Sequence, residues 1–342
     1  MSDPVESLPA ETLALAERHV GDILDHALVH SNGRALVVAD EQSVLSRALA
    51  KAYRACLPEA RYLSFDAVTH EQILAAFSEL AAGDLVVLIQ STNFRLGAFR
   101  IRVELFKRGL KVVEHPHLAR MLPSEYATYI DALAYDPAYY RGVGAALKRR
   151  IDAAPGGVVD SFGARLTYGS AFEPAKLNVG DYTGFANIGG QFPIGEVFTE
   201  PVDLASVNGK VRIFVFGDTA FCVNVPPTPI TLEIERGKVA NVIDSTPAFD
   251  LVMSQITAEE EPWVRELGFG MNRAMTAERR VSDIGTYERM CGIHLSLGAK
   301  HGVYDKPSLK RRHTRYHVDV FAQTESVILG KDVVFRDGAW CV

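Results

Sequence analysis

From residue 8 onward the chain alternates two rhythms. Apolar residues recur at helical spacing over 8–29 (LPAETLALAERHVGDILDHALV), then give way to Arg34–Asp40 (RALVVAD), a run with the length and composition of a buried strand. The pattern repeats: helix from Glu41 to Cys56, strand ARYLSF, helix HEQILAAFSELAA, strand DLVVLIQS, helix from Phe99 to Arg108, strand LKVVEHP. Continuous Val/Leu/Ile strands alternating with helices predict an open parallel sheet covered on both faces, an α/β domain. Residues 123–154 read as helix, stopped by Pro155-Gly156-Gly157, and the boundary is placed there: an α/β domain over 1–155 and a second domain over 156–342.

Beyond that point the period changes to two. Residues 158–171, 197–202, 210–217, 229–243 and 333–342 alternate as strands, with Asn-Gly, Arg-Gly and Asp-Gly turns at 208–209, 236–237 and 337–338, and one amphipathic helix at 247–264 interrupts them. The second domain is therefore expected to be α+β and rich in antiparallel strands.

Composition narrows the class. With 48% hydrophobic and 23% charged residues, the chain is an ordinary globular sequence. A net charge of −6 gives no general attraction to nucleic acid or to anionic lipid, and the basic run 309–315 (LKRRHTR) reads as a solvated loop. No apolar stretch reaches membrane-spanning length, and the opening MSDPVESLPAE has no signal-like core. Cysteines 56, 222, 291 and 341 are scattered, the usage of reduced thiols in the cytoplasm. Cys291 reads as an isolated buried thiol, with a soft ligand beside His294 as the alternative.

The chemistry concentrates in the second domain. The first lacks both Gly-x-Gly-x-x-Gly and a phosphate-binding Gly-x-x-x-x-Gly-Lys-Ser/Thr loop; Ser91, Thr92, Asn93, His115 and His117 follow its strands as cleft candidates or as caps and turns. In His317-Val318-Asp319, residues i and i+2 of a strand share a face, so an imidazole and a carboxylate converge as metal ligands. Glu196 follows the Gly- and Pro-rich GGQFPIG at a strand entrance, and Glu266 lies in the apolar VRELGFGMN, where a carboxylate is costly to bury without a partner or a metal. Singly, each reads more readily as a surface or salt-bridged Glu than as a ligand.

In order, GEVFTEPVDLASVNGKV, PITLEIERGKV, RELGFGMN, GIHLSLG, His317-Val318-Asp319 and a terminal strand bearing Asp-Gly resemble the metal domain of the metallo-aminopeptidases called aminopeptidase T, aminopeptidase S and PepS, over about residues 158–342. The resemblance implies a two-metal hydrolase acting on short peptides or a related amide. Glu196, Glu266, His294, His317 and Asp319 would hold Zn, Co or Mn, with Glu196 also catalytic. It further implies a homodimer with a small-molecule or short-peptide substrate and no nucleic-acid or membrane partner. Where the family has a tyrosine seven residues after the matching His, this chain has His301, with Tyr304 near it. His301 is then a catalytic donor, an extra ligand or an exposed loop residue. Glu288 would orient a ligand imidazole or lie on the surface. A second resemblance, through FRIRVELFKRGLKVVEHPHLARML and the chain length, is to the 2,5-dihydroxypyridine 5,6-dioxygenases, which would imply one Fe(II) and ring cleavage. Their third ligand is a histidine where this chain has Glu266.

Overall fold

The structure, a computed structural model, describes residues 8–30, 33–306, 309 and 314–342. Residues 310–313 of the basic run lie outside the described residues. Two compact units divide the chain: Met1–Pro137 with Gly180–Ile194, and Ala138–Val179 with Gly195–Val342.

The first unit is built on a parallel sheet. Its strands are β1 (Ala35–Ala39), β2 (Arg61–Ser64), β3 (Leu85–Ile89), β4 (Lys111–His115) and, after a long excursion of the chain, β8 (Ile188–Gln191), in the order β2-β1-β3-β4-β8. Every residue of β3 is buried, as an apolar run requires when both faces are covered. The helices are α1 (Ala10–Asp22), α2 (Val44–Cys56), α3 (His70–Ser78), α4 (Ile101–Lys107) and α5 (Tyr126–Ala132). Ser43 and Thr69 close the open N–H groups of α2 and α3 with reciprocal capping boxes. On one face, Leu36, Val38, Val86, Leu88 and Val112 pack with Ile73, Phe77 and Leu105. Strand β8 reads Ile-Gly-Gly-Gln and carries no strand signal. It forms because Gly189 lets it lie against β4, where a Cβ would stand 1.9 Å from Val112 O.

Two expectations change here. The single helix over 123–154 is a 3₁₀ turn (Pro123–Glu125), α5 and α6 (Pro137–Ala153), because the residue before a proline leaves the helical region and proline has no N–H to continue the ladder. The division near residue 155 becomes two interleaved segments. Helix α6 belongs with the second unit, where Gly144 sits against Val179 with no room for a Cβ, while β8 belongs with the first. Pro155-Gly156-Gly157 ends a helix without ending a packing unit.

The second unit is an extended antiparallel sheet. Its strands are β5 (Gly157–Ser161), β6 (Ala164–Tyr168), β7 (Lys176–Asn178), β9 (Glu196–Thr199), β10 (Val207–Gly217), β11 (Val223–Asn224), β12 (Ile230–Glu235), β13 (Lys238–Ile243), β14 (Val264–Gly270), β15 (Gly292–Leu297), β16 (Val318–Ala322), β17 (Ser326–Leu329), β18 (Asp332–Arg336) and β19 (Ala339–Trp340). Helix α7 (Pro247–Glu259) and the single turn α8 (Ile284–Tyr287) complete it. Arg236-Gly237 and Asp337-Gly338 make tight hairpins with both residues at positive φ, and so does Phe162-Gly163, which splits 158–171 into two strands. Asn208-Gly209, expected as a turn, lies inside β10. Gly209 is there because a Cβ would stand 2.1 Å from Arg165 O, and the Asn208 carboxamide accepts from Arg236 N–H. The order β16-β15-β14-β9 places four strands side by side, and each brings one of the sequence's candidate ligands or stands beside one. Among the described residues, no helix is long and apolar enough to cross a membrane.

Candidate metal centre

Strand register assembles the site. Gly270 pairs with Glu196, Gly268 with His294, and Ser296 with Asp319, so side chains distant in sequence rise from adjacent strands. Gly268 makes room for the central ring: a Cβ there would fall 2.0 Å from His294 Cε1 and 2.1 Å from Nε2. Glu266 is aimed by an irregularity. Between Val264 and Leu267 the β14–β15 register shifts, and Ser296 Oγ accepts the Glu266 N–H that the ladder leaves open. An extra residue in one strand re-aims its neighbours, a device common beside active sites.

His294 Nε2 lies 3.2 Å from Glu196 Oε1 and 3.3 Å from Glu266 Oε1. Glu196, Glu266 and His294 bring ligand atoms within 4.8 Å of one another. The second oxygen of Glu266 lies 2.7 Å from His301 Nε2. His317 Nε2 is 3.1 Å from Asp319 Oδ1, on the shared face that the i, i+2 spacing predicts, and the His317 ring centroid is 5.8 Å from that of His301. The six sequence candidates thus occupy one patch. The Glu196–Glu266–His294 triad forms its tight part, His301 joins through Glu266, and the His317–Asp319 pair stands beside it.

The electrostatics call for positive charge. Glu196, Glu266 and Asp319 are only 5, 7 and 6% exposed. Arg289 approaches Glu196 at 3.9 Å but is also paired with Glu288. In the protein alone, imidazolium supplies the balance. Burial would push His294 down, yet the hydrogen bonds and charges of Glu196 and Glu266 outweigh it and raise His294 to about 10. Burial also opposes the charge on His317, and Asp319 and then Glu266 overcome it, raising the group to about 9. For Glu266, burial pushes upward, but hydrogen bonds from His294 and His301 and the nearby imidazole charges hold it well below the usual carboxylate range.

The donor set fits a divalent cation. Carboxylates and imidazoles suit Zn, Co or Mn, and a cation can take the place of protons on buried imidazoles. Asp319 Oδ1 is buried and accepts no hydrogen bond, since His317 Nε2 is at contact distance but off the hydrogen-bond direction.

Several outcomes differ from the sequence reading. His301 is not an exposed loop residue: its side chain is 3% exposed and stacks on Tyr304 at 5.5 Å. The Tyr304 hydroxyl donates to Pro174 O at 2.8 Å, so the ring supports His301 rather than offering a phenol to the site. Glu288 reaches the patch through Arg289 and toward a carboxylate, not an imidazole. Cys291 is half-buried with Sγ directed to Gly338 O, away from His294. In the first unit, His115 is core: its ring nitrogens meet the hydroxyls of Tyr53 and Tyr129 at 2.9 and 3.0 Å, and burial pushes it down to about 3. Ser91 is tied to the Asp40 carboxylate.

Sequence reasoning missed a buried charge network behind His301. Glu200 is wholly buried and receives Arg265 through Nη2 at 3.0 Å, with Lys306 Nζ at 3.8 Å. Lys306 also meets Glu173 at 2.5 Å. The signal was present in GEVFTEP, where a second Glu follows the first by an even number of residues; the bulge that turns Arg265 toward it left no trace in the spacing.

A parallel α/β unit joined to an antiparallel unit that carries a buried carboxylate–imidazole patch defines the class of protein. Solved structures share this fold: wild-type AmpT from Thermus thermophilus matches over 96% of this chain and 99% of its own, with a TM-score of 0.59 and 16% sequence identity. At that identity the likeness is one of fold. No family model matches the sequence, and no curated protein does.

Proposed function

We propose that this chain is a metal-dependent hydrolase of the aminopeptidase type, releasing N-terminal residues from short peptides or cleaving a related amide. The observation that carries it is the buried Glu196–Glu266–His294 triad, with ligand atoms within 4.8 Å of one another and carboxylates balanced in the protein alone chiefly by imidazole protons that a cation can displace. The resemblance of 158–342 to aminopeptidase T, aminopeptidase S and PepS, and the fold shared with AmpT, support the same reading.

Glu196, Glu266, His294, His317 and Asp319 are the residues that would hold metal, in the proposal two ions. Bound there, divalent cations would make water nucleophilic at neutral pH and polarise a scissile carbonyl. Glu266 divides its oxygens between His294 and His301, which makes it the carboxylate suited to serve both sides of the patch. The excess of carboxylates also suits a substrate that enters with a free, positively charged α-amino group. The homodimer belongs to the proposal through the resemblance alone, and sedimentation tests it.

The deciding experiment is elemental analysis of the purified chain together with amino-acid release from short peptides after addition of Co²⁺, Zn²⁺ or Mn²⁺. About two divalent ions per chain and turnover are expected, with turnover abolished by Glu196→Ala and by Asp319→Ala. One iron per chain with O₂ uptake on a dihydroxypyridine would replace this reading with the Fe(II) dioxygenase, for which His301, His317 and Asp319 provide two imidazoles and a carboxylate.

A further inference from the structure

His301 stands between the metal patch and the buried charge network, and we infer that it is an additional metal ligand through Nε2, oriented by Glu200 through Nδ1. The inference rests on the metal-site reading above. The ring is fixed on both faces of the question: its plane is held by the stack on Tyr304, 5.5 Å away and within 14° of parallel, and its Nε2 faces the Glu266 oxygen that His294 does not use.

At the other edge, Nδ1 is 3.6 Å from Glu200 Oε1 and receives a long contact, 3.4 Å, from the Val303 N–H. Glu200 Oε1 is buried and accepts no hydrogen bond; Arg265 Nε is 2.8 Å away but off the hydrogen-bond direction. A buried carboxylate oxygen without a donor is costly. Without metal, Nε2 meets the Glu266 carboxylate and Nδ1 faces the Val303 N–H; a cation on Nε2 would place the proton on Nδ1, which then supplies the donor that Glu200 Oε1 lacks, the arrangement in which a carboxylate orients a metal-bound imidazole.

On the Nδ1 side of the ring, Glu200 and Glu173 are matched by Arg265 and Lys306. The same cations tie down the segment that carries His301. Arg265 donates to Ala299 O at 2.5 Å and to Tyr304 O at 3.2 Å, and Lys306 donates to Pro201 O at 2.7 Å.

The test titrates the chelator-treated full chain with Co²⁺, following visible absorption and bound metal, in wild type, His301→Gln and Glu200→Gln, with melting curves of each metal-free protein. His301→Gln is expected to change the Co²⁺ spectrum and weaken one ion at least tenfold while the metal-free protein melts near wild type. Glu200→Gln is expected to weaken the same ion ~10–100-fold, the usual effect of losing a carboxylate behind a ligand. Two ions held by wild type and equally well by His301→Gln, with an unchanged spectrum, overturn the inference alone. A single ion that His301→Gln weakens supports the inference and removes the two-ion reading. No ion in wild type overturns both. Glu200→Gln leaves Arg265 and Lys306 short of a charge, so if it does not fold, His301→Gln decides by itself.

Discussion

Gly268→Ala tests the geometry of the site without touching a ligand. The added Cβ would fall 2.0 Å from His294 Cε1, 2.1 Å from Nε2 and 2.6 Å from Nδ1. Carbon atoms in contact rest about 3.5–4.0 Å apart, so the ring must retreat by roughly 1.5 Å. There is little space to take it: His294 is 1% exposed, and the Phe321 ring lies 5.7 Å from it by centroid. Overpacking of this kind costs about 1–3 kcal/mol, which for a unit of this size lowers the melting temperature by about 2–4 °C per kcal/mol. The effect on metal is larger, because metal–ligand distances tolerate only about 0.2 Å, far less than the forced shift. Melting of the chelator-treated and metal-loaded protein, with elemental analysis after gel filtration, reads both effects. The expected result is a lower melting temperature without metal and almost no further gain when metal is added. Gly142→Ala on α6, exposed and with nothing within 4 Å of its Cβ position, is the control and should be neutral or slightly stabilising. A Gly268→Ala protein that melts with wild type and keeps its metal would refute this geometry.

Other outcomes follow from the same charges and burial. The imidazoles of His294, at about 10, and His317, at about 9, lie above the ordinary value of 6.5, so their contribution to the metal-free protein is complete below pH ~6.5 and is lost as pH rises through 9 to 10. Metal must displace those protons, so metal binding should tighten with rising pH over that window and release protons into weak buffer; a flat metal-free melting temperature from pH 6.5 to 10 would contradict it. Arg265→Met leaves the wholly buried Glu200 without its guanidinium and should cost about 3–5 kcal/mol in urea unfolding, whereas Arg265→Met with Glu200→Leu should recover most of the loss; a single-mutant cost below about 1 kcal/mol would count against a buried pair. Burial pushes the Cys291 thiol up to about 11, so at pH 8 it carries ~100-fold less thiolate than an ordinary cysteine, and iodoacetamide should label exposed Cys341 well before it; early mass-mapped labelling of Cys291 would show the opposite.

Local periodicity made much of this protein legible. The strands at 35–39 and 85–89 are continuous apolar runs because both faces of a parallel sheet are buried, and the turns at 236–237 and 337–338 announce themselves because a tight hairpin demands positive φ. His317 and Asp319 could be paired from spacing alone, since a strand's period of two is a local property. The same logic failed at Asn208-Gly209, where the glycine answers a neighbouring strand's carbonyl rather than a turn, and at 188–191, where a strand forms through the Gly189-Gly190 pair, of low strand preference, because β4 offers an open edge.

The sequence by itself determined the alternation of elements, the parallel and antiparallel character of the two halves, and a short list of carboxylates and imidazoles. Only the tertiary structure decided that α6 belongs with the second unit, that a register shift in β14 turns Arg265 toward Glu200 while Glu266 faces His294 and His301, and that His301 is buried rather than exposed. Periodicity records what a residue does relative to its neighbours along the chain. Register across β9, β14, β15 and β16, and the absence of a Cβ at Gly268, are relations between segments, and those exist only once the strands have paired.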